Sequence, residues 1–429
     1  MDYSFENVLI LGFGKSGISA QNYIKKHNGK SLYFDDSVLG GLDFNTAATM
    51  IREKKFSLCV ISPGVSIDSD IATLAKENQI PIISEFDLGL CNYKGKIIAI
   101  TGTNGKTTTA TLLAKILQEG GIDCNLAGNI GVPTTRLENM QKVGVFEVSS
   151  FMLEGDVNFK PDISVILNVL PDHISRHGSF EKYLLAKKNV YKNADENDYL
   201  VLNYEDENLK KIDDFKGKTY WFSKTKKVNG AYFENSNLLF GKGTYITGLY
   251  SLKGMGVHNL ENVLACITVA KILGISDIAI ERAIKKFKGI SHRIEFVKEV
   301  DGVNYYDDSK GTNVASTLFA CNAMTENTVL ILGGVDKGCE FDELFCKLPS
   351  QVKGIVVVGE AKNKIYSCAK KYGFNNVVLA GTFKEAVLHA RLMAKCGWSV
   401  LLSPACASFD MFKNYEERGE VYANIVKGF

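Results

Sequence analysis

The stretch from Lys96 to Gly120 constrains this 429-residue chain most. Ile97-Ile98-Ala99-Ile100 is a short, isoleucine-rich apolar run, the pattern of a buried strand. Thr101-Gly102-Thr103-Asn104-Gly105-Lys106-Thr107-Thr108 follows. Leu112, Leu113, Ile116 and Leu117 then recur at helical spacing, and Gly120-Gly121 stops the helix. A strand, a glycine turn and a helix N-terminus aim backbone N–H groups at one point, which makes a cradle for phosphate. Lys106 is placed to neutralise β/γ-phosphate charge, and the Thr107 hydroxyl to ligate Mg²⁺. The usual P-loop has one more glycine upstream, where this chain has Ile100, so the cradle is the shorter G-x-x-G-K-T.

A second glycine turn lies near the start. Val8-Leu9-Ile10-Leu11 leads into Gly12-Phe13-Gly14-Lys15-Ser16-Gly17 and a helical pattern through Ile24. The strand Leu32-Tyr33-Phe34 then ends in Asp35-Asp36. This G-x-G-x-x-G turn, with an acid about 20 residues on, fits a diphosphate-bearing nucleotide and taken alone suggests a nicotinamide-dependent oxidoreductase. Strand candidates follow at Leu58–Ile61 and Ile80–Ile83. Ser62-Pro63-Gly64 is either a plain turn or a ligand loop at a strand's carboxyl end. Asn92-Tyr93-Lys94-Gly95 reads as a linker.

The central region predicts strands at Val143–Val148 and Ile163–Val169. Glu147 in a buried strand is costly unless it is paired or binds a cation. His173, at the end of the next strand, gains interest because neighbouring strand ends converge on the phosphate site. Ser179–Ala194 is a predicted helix whose apolar stripe holds Tyr183, Ala186, Val190, Tyr191 and Ala194. Lys187 falls on that stripe and Lys188 outside it. A lysine there either snorkels to the surface or is functional. Strands and hairpins are expected over Tyr199–Ile246, with turn signals at Asn229-Gly230 and Asn235. His258-Asn259-Leu260-Glu261-Asn262 opens a helix through Leu273. Asn259 and Asn262 suit capping, a surface role or a base edge.

From Ser291-His292-Arg293 onward strands and helices alternate again. Strands are expected at Val303–Tyr306, Thr328–Leu332, Ile355–Val358, Val377–Leu379 and Ser399–Leu402. Three strand ends carry polar loops: Asp307 to Asn313, Gly333 to Gly338 and Ser403 to Asp410. Glycines, hydroxyls, lysines and carboxylates at one sheet edge make a binding face. The expected fold is α/β with three domains. These are a Rossmann-like domain (1–92), a central P-loop-type ATPase domain with a mostly parallel sheet and a small β part (93–290), and a Rossmann-like C-terminal domain (291–429). A net charge of +2 gives no reason to expect nucleic acid or a membrane as partner. No apolar run is long enough to span a bilayer, and Asp2 and Glu6 stand where a signal peptide would be basic. Ten scattered cysteines without C-x-x-C point to a reducing, cytoplasmic setting.

Together these residues resemble the Mur ligase family over essentially the whole chain, closest to its D-glutamate-adding members. The marks are Gly102 to Thr107, Gly128-Asn129-Ile130-Gly131, Glu147 to Phe151, Asn168 to His173, His258-Asn259, His292-Arg293, Asp308-Ser309-Lys310 and Leu402 to Asp410. The resemblance implies that ATP activates UDP-N-acetylmuramoyl-L-alanine as an acyl phosphate, which the amine of D-glutamate attacks, in peptidoglycan precursor synthesis. It implies a monomer using ATP and two Mg²⁺ ions. Ser16, Asp35, Asp36, Ser62 and Gly64 would lie at the UDP site, and Asn129 near the substrate's carboxyl end. Gly102, Thr103, Asn104, Gly105, Lys106, Thr107 and Thr108 would hold ATP phosphates. Asn259 and Asn262 would face adenine, and Arg293 and Asp308 would hold phosphate and ribose. Thr107 and Glu147 would ligate one Mg²⁺, and His173 and Lys187 the other, Lys187 as a CO₂-derived carbamate. Thr312, Lys337, Ser408 and Phe409 would surround D-glutamate, with Lys310 and Tyr415 nearby. The sequence departs from common family patterns at Leu170-Pro171 and at Tyr415. A nicotinamide-dependent oxidoreductase explains the first turn only and leaves the Lys106 cradle, Glu147 and His173 unexplained, whereas a non-enzymatic nucleotide-binding scaffold predicts ATP binding without metal-dependent turnover. Among sister ligases, the diaminopimelate- or lysine-adding type usually carries Asp-Asn-Pro-Arg, which is absent here.

Overall fold

The computed structural model describes residues 5–137, 140–155, 157–252, 255–336, 338 and 340–429. They fall into two compact units, Met1–Phe287 and Lys288–Phe429. The first unit opens with strands β1 (Val8–Leu11), β2 (Ser31–Phe34), β3 (Leu58–Ile61) and β4 (Ile82–Ser84). They form a parallel sheet in the order β2-β1-β3-β4. A larger parallel sheet follows, from β5 (Ile97–Thr101), β6 (Cys124–Gly128), β7 (Val143–Glu147), β8 (Ile163–Ile166), β9 (Tyr199–Asn203) and β10 (Lys218–Phe222). Its order is β10-β9-β8-β5-β7-β6. The strands β11 (Ala231–Glu234), β12 (Asn237–Phe240) and β13 (Thr244–Gly248) make a small antiparallel meander.

Strand order reverses beside β5, which pairs with β7 on one side and β8 on the other. Crevices at such reversals, outside the carboxyl ends of the strands, are where open α/β sheets bind ligands. β5 is buried along its whole length, as an isoleucine-rich central strand must be. The helix Lys106–Glu119 covers it with Leu112, Leu113, Ile116 and Leu117, the four residues of the predicted stripe.

The two sheets of this unit are joined by buried polar contacts. Glu85 accepts from the Thr135 amide at 2.9 Å and its hydroxyl at 2.7 Å. Asp87 accepts from the Phe159 amide at 2.8 Å. The expected linker is pinned as well: Tyr93 Oη donates to the Lys142 carbonyl at 2.8 Å.

The second unit has β14 (Glu295–Val300), β15 (Val303–Asp307), β16 (Thr328–Gly333), β17 (Val352–Val358), β18 (Val377–Leu379) and β19 (Ser399–Leu402). Their order is β14-β15-β19-β16-β17-β18, and only β14 runs antiparallel. Apolar clusters fill both faces of this sheet.

Several expectations need correction. β6 and β14 were not predicted. Cys124-Asn125-Leu126-Ala127-Gly128 is only half-buried, and β14 is a charged edge strand, so neither has an apolar run. β8 stops at Ile166 instead of Val169. The helix expected over Ser179–Ala194 is α-helical only from Phe180 to Lys188, then tightens to a 3₁₀ turn at Asn189–Tyr191. Its five apolar positions are nonetheless all buried. β9 and β10 are not a hairpin but extend the central sheet in parallel. The hairpin at Asn235 does form, with Asn235 and Ser236 both at positive φ.

Gly17 sits so close to the first turn that a Cβ there would lie 2.1 Å from the Gly12 carbonyl oxygen. Gly17→Ala should therefore lower unfolding stability by about 1–3 kcal/mol, the usual cost of overpacking. An unchanged urea midpoint would contradict this.

Candidate functional site

The phosphate cradle is shaped by two glycines and locked by one asparagine. Gly102 and Gly105 have φ of +151° and +85°, which side-chain-bearing residues adopt at a cost. A Cβ on Gly105 would also stand 2.2 Å from Asn262 Oδ1, so only glycine permits that approach. The Asn104 amide donates to Asn168 Oδ1 at 2.8 Å, and Asn168 Nδ2 donates to the Asn104 carbonyl at 3.2 Å. The Thr103 hydroxyl and Tyr183 Oη lie 3.0 Å apart. Lys106 Nζ donates to the carbonyls of Gly102 and Thr103, both at 2.8 Å.

Lys187 does not snorkel. It is 1% exposed, and its Nζ donates to the same Gly102 carbonyl at 2.9 Å. It also stands 4.6 Å from the Tyr183 ring centroid. Burial first, and the charge of Lys106 second, hold the Lys187 ammonium well below the ordinary lysine range, while Asp172 opposes the shift. A neutral amine is the nucleophilic form. Lys188, off the stripe, reaches Asp214 at 2.7 Å with a quarter of its side chain exposed.

Glu147 ends β7 and lies in register with Ile100 of β5. It is 2% exposed. Its Oε1 accepts from Asn129 Nδ2 at 2.8 Å, whereas Oε2 is buried with no hydrogen-bond partner among the described residues. An orphaned carboxylate oxygen in the interior is expensive, and a hard divalent cation would satisfy it. With the buried Thr107 at the helix start, the donor set is carboxylate and hydroxyl oxygen, which suits Mg²⁺. His173 follows β8 in a left-handed conformation with φ +52° and an exposed side chain. Its ring centroid is 4.9 Å from that of Phe151.

Asn259 and Asn262 are buried beside the cradle and bonded to each other at 2.9 Å. Asn259 Nδ2 also donates to the Met255 carbonyl at 2.7 Å, so neither amide acts as a helix cap. The neighbouring His258 is pushed down to about 4 by burial. Thr108 is buried in the first turn of the cradle helix.

In the first sheet, the Phe13 amide donates to Asp35 Oδ2 at 2.6 Å. That bond, with those from Ser37, holds the Asp35 carboxyl below its usual range. Ser62 Oγ donates to the Gly12 carbonyl at 2.7 Å, joining the Ser62–Gly64 turn to the glycine turn. Ser16 lies in the first turn of the helix Lys15–Lys26, Asp36 is exposed, and Gly64 has open space where a Cβ would stand.

In the second unit, Asp308 is 4% exposed and accepts from Ser403 Oγ at 2.6 Å. Burial pushes its carboxyl up to about 7, against the pull of Ser403 and Arg293. Arg293 Nε is buried without a partner among the described residues. Lys310 and Thr312 follow β15; Lys310 Nζ lies 5.6 Å from the Tyr415 ring centroid. Ser408 is buried and Phe409 is 64% exposed in the loop after β19. Lys337 lies outside the described residues.

Sequence reasoning missed Arg418, which is fully buried in the C-terminal helix. It donates to Ser309 Oγ at 2.9 Å, the Ser309 carbonyl at 2.8 Å and the Cys406 carbonyl at 3.1 Å, tying two of these loops together. It missed the His292–Asp307 pair too, at 2.7 Å. An arginine among Glu416, Glu417 and Glu420 looks like surface charge in sequence, so only the fold reveals Arg418.

Two family descriptions match this architecture: the Mur ligase middle domain over residues 100–270, and the Mur ligase glutamate ligase domain over residues 292–406. Curated relatives named UDP-N-acetylmuramoylalanine–D-glutamate ligase come from Thermoanaerobacter pseudethanolicus and Caldicellulosiruptor bescii. Each is 39% identical to this chain and matches 99% of it, over 99% and 98% of their own lengths. Among solved structures, MurC from Thermotoga maritima has a TM-score of 0.60 at 18% identity, covering 98% of this chain and 99% of its own. MurF from the same organism, in complex with ADP, has a TM-score of 0.60 at 15% identity, covering 99% and 95%. The chain belongs to the Mur ligase family. Its mixed α/β fold, with parallel sheets, is the one those structures share.

The raised Asp308 carboxyl has a thermodynamic consequence. Its folded value, about 7, exceeds the free value of 3.8, so its contribution to stability is fully present below about 4 and lost as pH rises through 7. Asp308→Asn should gain stability relative to wild type between pH 4 and 8. Parallel urea titrations at both ends would show this; a stability difference independent of pH would contradict it.

Proposed function

We propose that this chain is an ATP-dependent ligase that joins D-glutamate to UDP-N-acetylmuramoyl-L-alanine in peptidoglycan precursor synthesis. The observation that carries the choice of amino acid and acceptor is full-length similarity, at 36–39% identity, to ligases bearing that name. The architecture supports a division into a Rossmann-like domain at 1–92, a P-loop-type domain at 93–290 and a Rossmann-like domain at 291–429.

The chemistry follows from what the residues offer. ATP transfers its γ-phosphoryl group to the substrate carboxylate, giving an acyl phosphate and ADP. The D-glutamate amine then attacks the acyl carbon, phosphate leaves, and an amide forms. The first step brings two anions together, so most of the catalytic work is electrostatic. Lys106 leaves its two loop carbonyls to meet the β/γ-phosphates, helped by backbone amides of Gly102 to Thr108. Thr107 and Glu147 would hold one Mg²⁺, and His173 with a carbamate on Lys187 the other; when bound, these ions screen the anions and stabilise the transferring phosphoryl group. Asn129 fixes one Glu147 oxygen, leaving Oε2 free for the ion. Asn259 and Asn262 would face adenine, and Arg293 and Asp308 would bind phosphate and ribose. Ser16, Asp35, Asp36, Ser62 and Gly64 receive the UDP end. Lys310, Thr312, Lys337, Ser408, Phe409 and Tyr415 would bind D-glutamate.

The Lys187 carbamate is supported by a desolvated amine, which adds CO₂ readily and thereby becomes an oxygen ligand. With carbon-13 bicarbonate, a carbamate resonance should appear in wild type and be absent from Lys187→Ala. Lys187→Ala should be nearly inactive and partly rescued by acetate, while Lys188→Ala stays active. Equal losses at both lysines, or no carbamate signal, would refute the assignment. The function itself is tested by phosphate release with ATP, Mg²⁺ and UDP-N-acetylmuramoyl-L-alanine across a panel of amino acids. D-glutamate should be the strongly preferred acceptor; preference for L-alanine or a diamino acid would overturn the reading.

A further inference from the structure

One guanidinium adds a further link between the two sheets of the first unit. Arg176 lies in the short helical turn Ile174–His177, three residues after His173. Its Nη2 crosses to the carbonyl of Val65 at 2.8 Å, in the loop that follows β3. The same guanidinium grips Glu154 with two bonds, Nη2 to Oε2 at 2.8 Å and Nε to Oε1 at 3.2 Å. Its carbon stands 4.4 Å from the Phe151 ring centroid. The Arg176 backbone amide donates to the His173 carbonyl at 3.0 Å, so the guanidinium is carried on the turn that begins at His173.

The far end of this connection reaches the nucleotide turn. The Val65 amide donates to the Ser62 carbonyl at 3.0 Å, and Ser62 Oγ donates to the Gly12 carbonyl at 2.7 Å. Val65 itself packs on Gly12, so closely that a Cβ there would lie 2.7 Å from its Cγ2. A continuous path therefore runs Gly12, Ser62, Val65, Arg176, His173. Only 18% of the Arg176 side chain and 11% of the Glu154 side chain are exposed. A partly buried pair of this kind is maintained by geometry more than by net stabilisation. The planar fork serves carboxylate, carbonyl and ring at once, which a lysine point charge cannot do.

We propose that Arg176 is a positioning residue for the UDP-linked substrate: it fixes the Ser62–Val65 turn against the His173 turn, and so sets the reach from nucleotide to reacting carboxylate. The inference rests on the UDP site assigned under the proposed function. Without the guanidinium, the Ser62–Val65 turn must be ordered anew by each substrate molecule, and that ordering weakens binding. The ATP cradle is held by contacts of its own, Lys106 to the Gly102 and Thr103 carbonyls and the Asn104 amide to Asn168, so ATP binding should be spared.

Calorimetry with UDP-N-acetylmuramoyl-L-alanine and, separately, with ATP tests this on wild type, Arg176→Lys and Glu154→Gln. Arg176→Lys should bind the UDP substrate about tenfold more weakly, the scale of one charge-assisted hydrogen bond, with ATP affinity unchanged. Glu154→Gln should shift in the same direction by less, and it decides the matter if Arg176→Lys does not fold. In steady state, removing the UDP group from the substrate should cost wild type more in kcat/KM than it costs Arg176→Lys. Equal costs, unchanged UDP-substrate affinity in the folded variants, or parallel loss of ATP and UDP-substrate binding would overturn the proposal. A wild-type protein that does not bind the UDP substrate would instead overturn the assignment of the site itself.

Discussion

Two lysine side chains meet at one carbonyl oxygen. Lys106 and Lys187 both donate to Gly102, at 2.8 and 2.9 Å, and Lys187 is almost wholly buried. Two ammonium groups in so small a space repel strongly in a low-dielectric interior. Burial and that repulsion act in the same direction, and both weaken the hold of Lys187 on its proton. The consequence is a division of labour between chemically identical side chains. Lys106 keeps a helix N-terminal position suited to phosphate, while the buried Lys187 holds its proton less tightly than an ordinary lysine. The rest of the cradle depends on holding Gly102 in place, which is the task of Asn168, Tyr183 and the left-handed glycine at 105.

Glu147 is the matching feature on the neighbouring strand. One oxygen is held by Asn129 and the other has no partner among the described residues. Natural interiors rarely leave a carboxylate oxygen unsatisfied, and exceptions gather where an ion or a substrate completes the set. The reversal of strand order at β5 explains why Glu147, the cradle and the His173 turn share one edge of the sheet. They come from separate stretches of chain, and parallel pairing in register brings their ends together. In the second unit the same logic gathers Asp308, Thr312 and Ser408 at the carboxyl ends of β15 and β19. Arg418, fully buried, ties those two loops to the C-terminal helix.

What could be read beforehand followed from local physics. The strand, turn and helix at 97–119 announce themselves by an apolar run, two glycines and a leucine stripe. The stripe of Tyr183, Ala186 and Val190 put Lys187 on an apolar face, where a lysine either snorkels or is functional, and the fold buries it. The edge strands β6 and β14 escaped because an edge needs no continuous apolar run, and charge in sequence hides a strand paired on one side only. The helix predicted to reach Ala194 kept its buried face but not its regular backbone, since a 3₁₀ turn buries the same residues with a different pitch. Arg176 and Arg418 were illegible for another reason. Their partners, Val65 and Glu154 for one and Ser309 and Cys406 for the other, are distant in sequence, and no spacing rule joins them.

The proposed first step, delivery of a substrate carboxylate to the γ-phosphate of ATP at this edge of the sheet, moves one oxygen from substrate to phosphate. Labelling both oxygens of the UDP-N-acetylmuramoyl-L-alanine carboxylate with oxygen-18 tests it most directly. After turnover with ATP and D-glutamate, mass spectrometry should find one labelled oxygen transferred to each inorganic phosphate released, with the other retained in the new amide. Label in AMP, or phosphate free of label alongside amide formation, would contradict the account.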